Sequence, residues 1–170
     1  MTKVDVVPYD PAWPGMAAGA VALLRLVLGG SVAAIEHIGS TAVPGLAAKP
    51  TIDLMAATDR LDRVGGHADV LEPLRYHRHV NAMADRLLFV RWVDRVRSHI
   101  LHVVTLDTWP TRNQRILRDH LREHPEEADR YGRLKLELAA AGVHSRDHAR
   151  AKAALLQELT DRARAARGLP

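Results

Sequence analysis

Residues 36–53, which run from Glu36-His37-Ile38-Gly39-Ser40-Thr41 to Lys49-Pro50-Thr51-Ile52-Asp53, hold the residue types whose order could do chemistry. Gly39 lets backbone approach a ligand with no side chain in the way. Ser40 and Thr41 offer hydroxyl and amide donors, and successive turn amides form an anion nest. This suits a phosphate, and Lys49 in the same loop is a flexible point charge able to reach one. Asp53 follows on an apolar strand, where an ionised carboxylate is costly unless it coordinates a metal or accepts strong hydrogen bonds. A phosphate loop beside a metal carboxylate is nucleotide chemistry. An ordinary Gly-Ser loop followed by an aspartate that caps a turn is the alternative, and spacing alone leaves both open.

The elements around this segment read as a mixed α/β unit. Val4–Val7 reads as a short strand closed by Pro8. An apolar helix opens at Pro11-Ala12-Trp13-Pro14, runs to about Leu28 and stops at Gly29-Gly30. Strands are expected at Val32–Ile38 and Thr51–Ala56, flanking the Gly39–Gly45 loop, followed by an amphipathic helix at about Asp59–Leu74. Two more strands are expected at Arg86–Val93 and His99–Leu106, both rich in β-formers. After Trp109-Pro110 the period changes to about 3.6. One helix ends near His124-Pro125, a second opens on Pro125-Glu126-Glu127 and runs to Gly142, and a third starts from a Ser145 cap. The organisation expected is a core at 1–110 with C-terminal helices at 111–170 packed on it as one structural unit, since 60 residues are few for independent stability.

Composition narrows the function classes. The chain has 170 residues, 47% of them hydrophobic, enough for a real core. It has no cysteine, which excludes disulfides, thiolate metal sites and a cysteine nucleophile. The first five residues lack the features of a signal peptide, and no stretch is read as approaching the roughly 20 apolar residues that span a bilayer, so a cytoplasmic protein without membrane attachment is expected. The net charge of +4 lies entirely in the last 60 residues: 11 basic and 11 acidic side chains precede residue 111, and 13 basic and 9 acidic follow. Arginine supplies 20 of the 24 basic residues. With seven aromatics spread along the chain there is no stacking platform, and bulk nucleic-acid binding is not expected.

The 36–53 string resembles the signature of the GrpB-like family of small bacterial proteins, which are similar in fold to the nucleotidyltransferase superfamily. The same type of module is appended to some dephospho-coenzyme A kinases. Asp10-Pro11-Ala12-Trp13, Leu101-His102-Val103, Leu117-Arg118-Asp119-His120-Leu121-Arg122 and Tyr131-Gly132-Arg133-Leu134-Lys135 extend the resemblance over about residues 4–160. It implies a nucleotidyltransferase-like mixed sheet flanked by helices, with a helical C-terminal part. It also implies a nucleoside triphosphate donor, a divalent cation (magnesium or manganese) and transfer of a nucleotidyl group to a small-molecule acceptor. Carried over, Gly39 and Ser40 match the phosphate turn and Asp53 the first metal carboxylate. Met55 stands where the second carboxylate belongs, and a thioether is no magnesium ligand. No acid occupies Leu101–Thr105, which leaves Asp107 at the strand end as a substitute for the third. Glu36 is a second candidate metal ligand, and His37 and His102 are candidates to assist the proton or the metal. His102 reads equally as a core histidine bonded to backbone. Arg118 and Arg122, four residues apart on one helix face, could clamp a ligand with Thr41 and Lys49, or Asp119 could neutralise them. Lys135 and Lys152 are further phosphate candidates, set against ordinary surface lysines, and Tyr131 is read as a packing anchor. A catalytically degenerate module that binds a nucleotide or coenzyme A-type ligand is the alternative function.

Overall fold

A computed structural model describes residues 6–80, 82–141 and 146–170. Helix α1 (Trp13–Leu28) carries Pro14 in its first turn, where a missing N–H is tolerated, and ends at Gly29, whose φ of 50° leaves the helical region. Its buried stripe of Trp13, Ala17, Ala20, Leu24 and Leu28 recurs every three or four residues and packs on the sheet. With the following turn, Trp13–Ser31 is long and apolar enough to cross a membrane by length and composition. This corrects the sequence reading that no stretch is; the apolar content of its buried stripe is accounted for by the core.

The sheet has five strands, β1 (Ala34–Ile38), β2 (Ile52–Thr58), β3 (Tyr76–Arg78), β4 (Leu87–Val93) and β5 (Val96–Thr105), in the order β1-β2-β5-β4-β3. β2 and β5 are parallel and the other pairs antiparallel, giving the expected mixed α+β sheet. One face, with Ile35, Leu54, Phe89 and Leu101, meets α1 and the short helices α2 (Leu61–Gly65) and α3 (Ala68–Leu71). On the other, Ile38, Met55 and Val104 pack with Trp109. The C-terminal helices α4 (Asn113–Glu123), α5 (Pro125–Ala140) and α6 (Arg146–Ala166) gather around Val43 and Leu46, so the loop between β1 and β2 is itself part of their core.

Several local expectations need correction. The helix expected at Asp59–Leu74 is broken in two and finished by a 3₁₀ turn at Glu72–Leu74, because Gly65-Gly66 interrupts it and Pro73 cannot continue an α-helix. Strand β3 follows directly and was not anticipated. β4 and β5 form a tight hairpin whose turn residues, Asp94 and Arg95, both have positive φ (49° and 63°), the geometry usually signalled by Asn-Gly. Of the strand expected at Val4–Val7, Val4 and Asp5 lie outside the described residues, and Val7 makes one antiparallel bridge to Ala48. The Ser145 cap and Gly142 lie outside the described residues.

Glu36 on β1 fastens α4 to the sheet. Arg115 grips its carboxylate with two hydrogen bonds of 3.0 Å, and Arg118 adds one of 2.7 Å while also donating to the carbonyl of His37. Burial works against ionisation of Glu36, but the hydrogen bonds from Arg115 and Arg118 outweigh it and hold its pKa below the usual carboxylate value. The Arg115 guanidinium also stacks 4.2 Å from the Trp109 ring centroid. Replacing Glu36 with Ala would remove the carboxylate that Arg115 and Arg118 share, leaving Arg118 with Asp119 and Arg115 without an acid. Urea denaturation is expected to show a loss of about 1–3 kcal/mol, below the fully buried case because the carboxylate is a third exposed.

Candidate functional site

Backbone geometry brings Gly39 over Asp53. Ile38, the last residue of β1, pairs with Asp53 near the start of β2, and the chain then leaves the sheet at Gly39 with φ 75°. A Cβ at Gly39 would lie 2.8 Å from Asp53 Oδ2, so the carboxylate occupies the space that any side chain there would need. β5 runs parallel beside β2 and brings His102 Nε2 to 3.6 Å from Asp53 Oδ1. The other ring nitrogen of His102, Nδ1, is buried without a hydrogen-bond partner, which removes the backbone-bonded core histidine as an account of this residue. Met55, two residues beyond Asp53 on the same face, is fully buried against Ile38 and Val104. Asp107 cannot stand in for the missing third acid. It lies in the turn past the end of β5, whose last residue, Thr105, is five residues, or about 16 Å at strand spacing, beyond Ile100, the register partner of Asp53.

Three side chains hold the 3₁₀ turn at Ser40–Ala42. His37 Nε2 meets Thr41 Oγ1 at 2.8 Å, Arg122 Nε donates to the Ala42 carbonyl at 2.8 Å, and Lys135 Nζ donates to Ser40 Oγ at 2.9 Å. Burial, helped by the Arg122 charge, pushes the His37 pKa down to about 4, so its ring is neutral at physiological pH. Strand alternation turns His37 away from the face of Glu36 and toward the loop. Of the two arginines of the expected clamp, Arg118 is buried and bound to Glu36 and Asp119, while Arg122 is exposed and spends its Nε on the turn's Ala42 carbonyl.

The chain has only four lysines against 20 arginines, and three of the four converge beside this turn. Lys135 is 5% exposed, and its recorded contacts are the Ser40 hydroxyl and the Tyr131 ring, whose centroid is 4.4 Å away. Among the described residues no carboxylate pairs with it. Burial, reinforced by the charge of Lys152, pushes its pKa down to about 7. Lys152 is depressed in turn, first by burial and then by Lys49. The three cations grade from buried Lys135 through partly buried Lys152 to exposed Lys49, and among the described residues none of them is in an ion pair, an arrangement that an anion would complete. A groove of about 500 Å³ between α5 and α6 shares no lining residue with this constellation.

For a metal, the donor set is small. Glu36 is spoken for by two arginines, and among the described residues no group of three or more His, Asp or Glu side chains is placed to hold an ion. Asp53 fits one cation shared with a ligand's own phosphate oxygens, while the residues do not fit a two-cation centre.

The family model described as GrpB protein matches residues 3–162. The chain belongs to the GrpB family. A UPF0157 protein of Halalkalibacterium halodurans is 32% identical over 174 residues, covering 96% of this chain and 84% of that one. The chain spans only 40% of a longer UPF0157 protein, YqkA of Bacillus subtilis, also at 32% identity. The crystal structure of the conserved protein GrpB from Enterococcus faecalis superposes with a TM-score of 0.84 at 31% identity, covering 93% of this chain and 96% of that one. The Cid1 poly(U) polymerase with Mg 3′-dATP bound matches at a TM-score of 0.51 and 15% identity over 81% of this chain and 42% of that one. That likeness shows the fold: this GrpB chain has a nucleotidyltransferase-like architecture.

Sequence reasoning missed how Arg115 and Glu36 tie α4 to the sheet, and it undervalued Lys135. The scarcity of lysine in an arginine-rich chain was a usable signal for the second. Two outcomes follow. Gly39→Ala is expected to cost about 1–3 kcal/mol in a denaturation curve, since it combines a strained φ with the clash against Asp53. Lys135→Met is expected to raise stability at pH 7 by about 1–3 kcal/mol, because it removes an unpaired buried amine. The folded-state pKa of Lys135 lies below its unfolded value, so the unfolded chain binds the extra proton between pH 7 and 10. The advantage of the variant therefore shrinks as pH rises through that window.

Proposed function

We propose that this GrpB protein binds a nucleoside triphosphate with its phosphates against Ser40, Thr41, Lys49, Lys135 and Lys152, and transfers the nucleotidyl group to a small-molecule acceptor at Asp53. The observation that carries the reading is the convergence of three of four lysines, none of them in an ion pair among the described residues, on the Gly39-Ser40 turn. Residues 1–110 and 111–170 act together in it, because the turn belongs to the first part and Lys135 and Lys152 to the second. In the transfer, an acceptor hydroxyl oxygen bonds to the α-phosphorus and the bridge from that phosphorus to the β-phosphate breaks. Pyrophosphate leaves with its charge on the lysines, and the hydroxyl proton passes to the Asp53–His102 pair. His37 and Arg122 keep the turn in shape, and Arg118 with Glu36 keeps α4 in place. A divalent cation, magnesium or manganese, held by Asp53 would add neutralisation of the phosphate charge.

A second reading, binding of a nucleotide or coenzyme A-type ligand without turnover, is favoured by the buried Met55 in the position of an acid and by the capture of Glu36 by arginines.

Calorimetric titration with the four common triphosphates, with and without magnesium, tests the proposal. Binding is expected to weaken at least tenfold in Lys135→Met, and any metal dependence to vanish in Asp53→Asn. The affinity of wild type should fall roughly tenfold from pH 7 to 8.5 as Lys135 loses its proton, a dependence absent from Lys135→Met. Pyrophosphate release on adding an acceptor separates transferase from binding module, and lack of binding by every triphosphate contradicts both.

A further inference from the structure

The end of the β4–β5 hairpin lies on the same sheet face as Asp53. Register runs from Asp53 to Ile100 on β5 and from Ile100 to Val90 on β4, and Trp92 is the next residue of β4 on that face. Between Arg91 and Trp92 the pairing slips by one residue, with Ser98 as the extra residue in β5 and its hydroxyl bonded to the Arg91 carbonyl. The bulge sets Arg97 directly opposite Trp92, so that its guanidinium lies 5.3 Å from the Trp92 ring centroid. Without the slip Arg97 would alternate to the other face. The hairpin is tied to the Lys49–Asp53 segment, because Thr51 Oγ1 donates to the Arg97 carbonyl at 3.1 Å.

Between Asp53 and Trp92 the face runs over Ile100, which is partly buried, and Val90, which is buried, to Trp92, itself half-buried. At strand spacing Trp92 stands about 12 Å from Asp53, the dimension of a small ligand. The hairpin carries Arg91, Arg95 and Arg97 against a single acid, Asp94. The lysines approach Asp53 from the opposite side, past the edge strand β1 and its turn. Asp53 therefore stands between two separate cationic regions, one built of buried lysines and one of an exposed, stacked arginine.

We propose that Trp92 and Arg97 form the acceptor subsite, which takes a small phosphorylated molecule with a planar ring, as in a nucleoside monophosphate. Trp92 holds the guanidinium flat, leaving its N–H edge to the acceptor's phosphate and its outer face to the ring. Ile100 forms the floor across which the acceptor's hydroxyl reaches Asp53. This inference rests on the proposed triphosphate site for the identity of the other substrate, but the subsite binds through its own residues.

The test is calorimetric titration of AMP and, separately, adenosine into the full chain saturated with α,β-methylene-ATP, using wild type, Arg97→Ala and Trp92→Ala. AMP is expected to bind at least tenfold tighter than adenosine, and Arg97→Ala to abolish that advantage. The affinity for the triphosphate analogue should stay within twofold of wild type. Trp92→Ala should weaken AMP several-fold, since the guanidinium loses its support. Equal binding of AMP and adenosine, AMP binding unchanged in Arg97→Ala, or no AMP binding overturns the proposal. If the analogue itself fails to bind wild type, the triphosphate reading falls on its own. AMP titrated into the free chain then still decides the subsite, through loss or persistence of binding in Arg97→Ala.

Discussion

The rest of the structure turns on a buried amine that has no acid paired with it among the described residues. Lys135 sits in the wall between α5 and the Ser40 turn, where desolvation and the charge of Lys152 both oppose its protonation. Folding gains nothing from that position which a methionine would not supply, since one hydroxyl bond and one ring contact do not offset the removal of an ammonium group from water. The cost makes sense when an anion arrives, because the same low-dielectric surroundings that penalise the lone cation strengthen its attraction to a phosphate. On the proposed function, stability is given up at the site where binding would need it.

The remaining architecture presents that amine to a ligand. Val43 and Leu46 anchor the loop between β1 and β2 in the C-terminal helical core, so the helices and the loop share one hydrophobic cluster. Glu36 fixes α4 through Arg115 and Arg118, and Arg122 reaches from the same helix to the turn's carbonyl. Gly39 permits the turn to pass so close over Asp53 that the carboxylate and the Ser40 hydroxyl share one corner of the sheet.

Much of this was legible in the chain. The run Val32–Ile38 ended by Gly39 and the run Thr51–Ala56 after Pro50 locate β1 and β2, and the mixed sheet follows from strands separated by helical stretches. Gly39, Ser40 and Asp53 stand out because their types make little sense as packing residues. What was hidden depends on long-range pairing. Nothing local says that Glu36 meets residues 79 and 82 positions away, which turns a presumed metal ligand into a structural anchor. The Asp94-Arg95 turn lacks the glycine that signals a tight hairpin, and the slip at Ser98 that re-aims Arg97 exists only in the register of two strands. Lys135 looked like a surface residue because its helix alternates charged and apolar positions, and only the docking of α5 on the turn buries it.

The most direct measurement is an NMR titration of the Lys135 side chain, in the free protein and with a nucleoside triphosphate. With only four lysines the signal is readily assigned by Lys135→Arg. A midpoint near 7 in the free protein, moving above 9 when the triphosphate binds, is the result expected of a buried cation completed by phosphate. A midpoint near that of an ordinary lysine in the free protein, or one that the triphosphate leaves in place, would contradict the account.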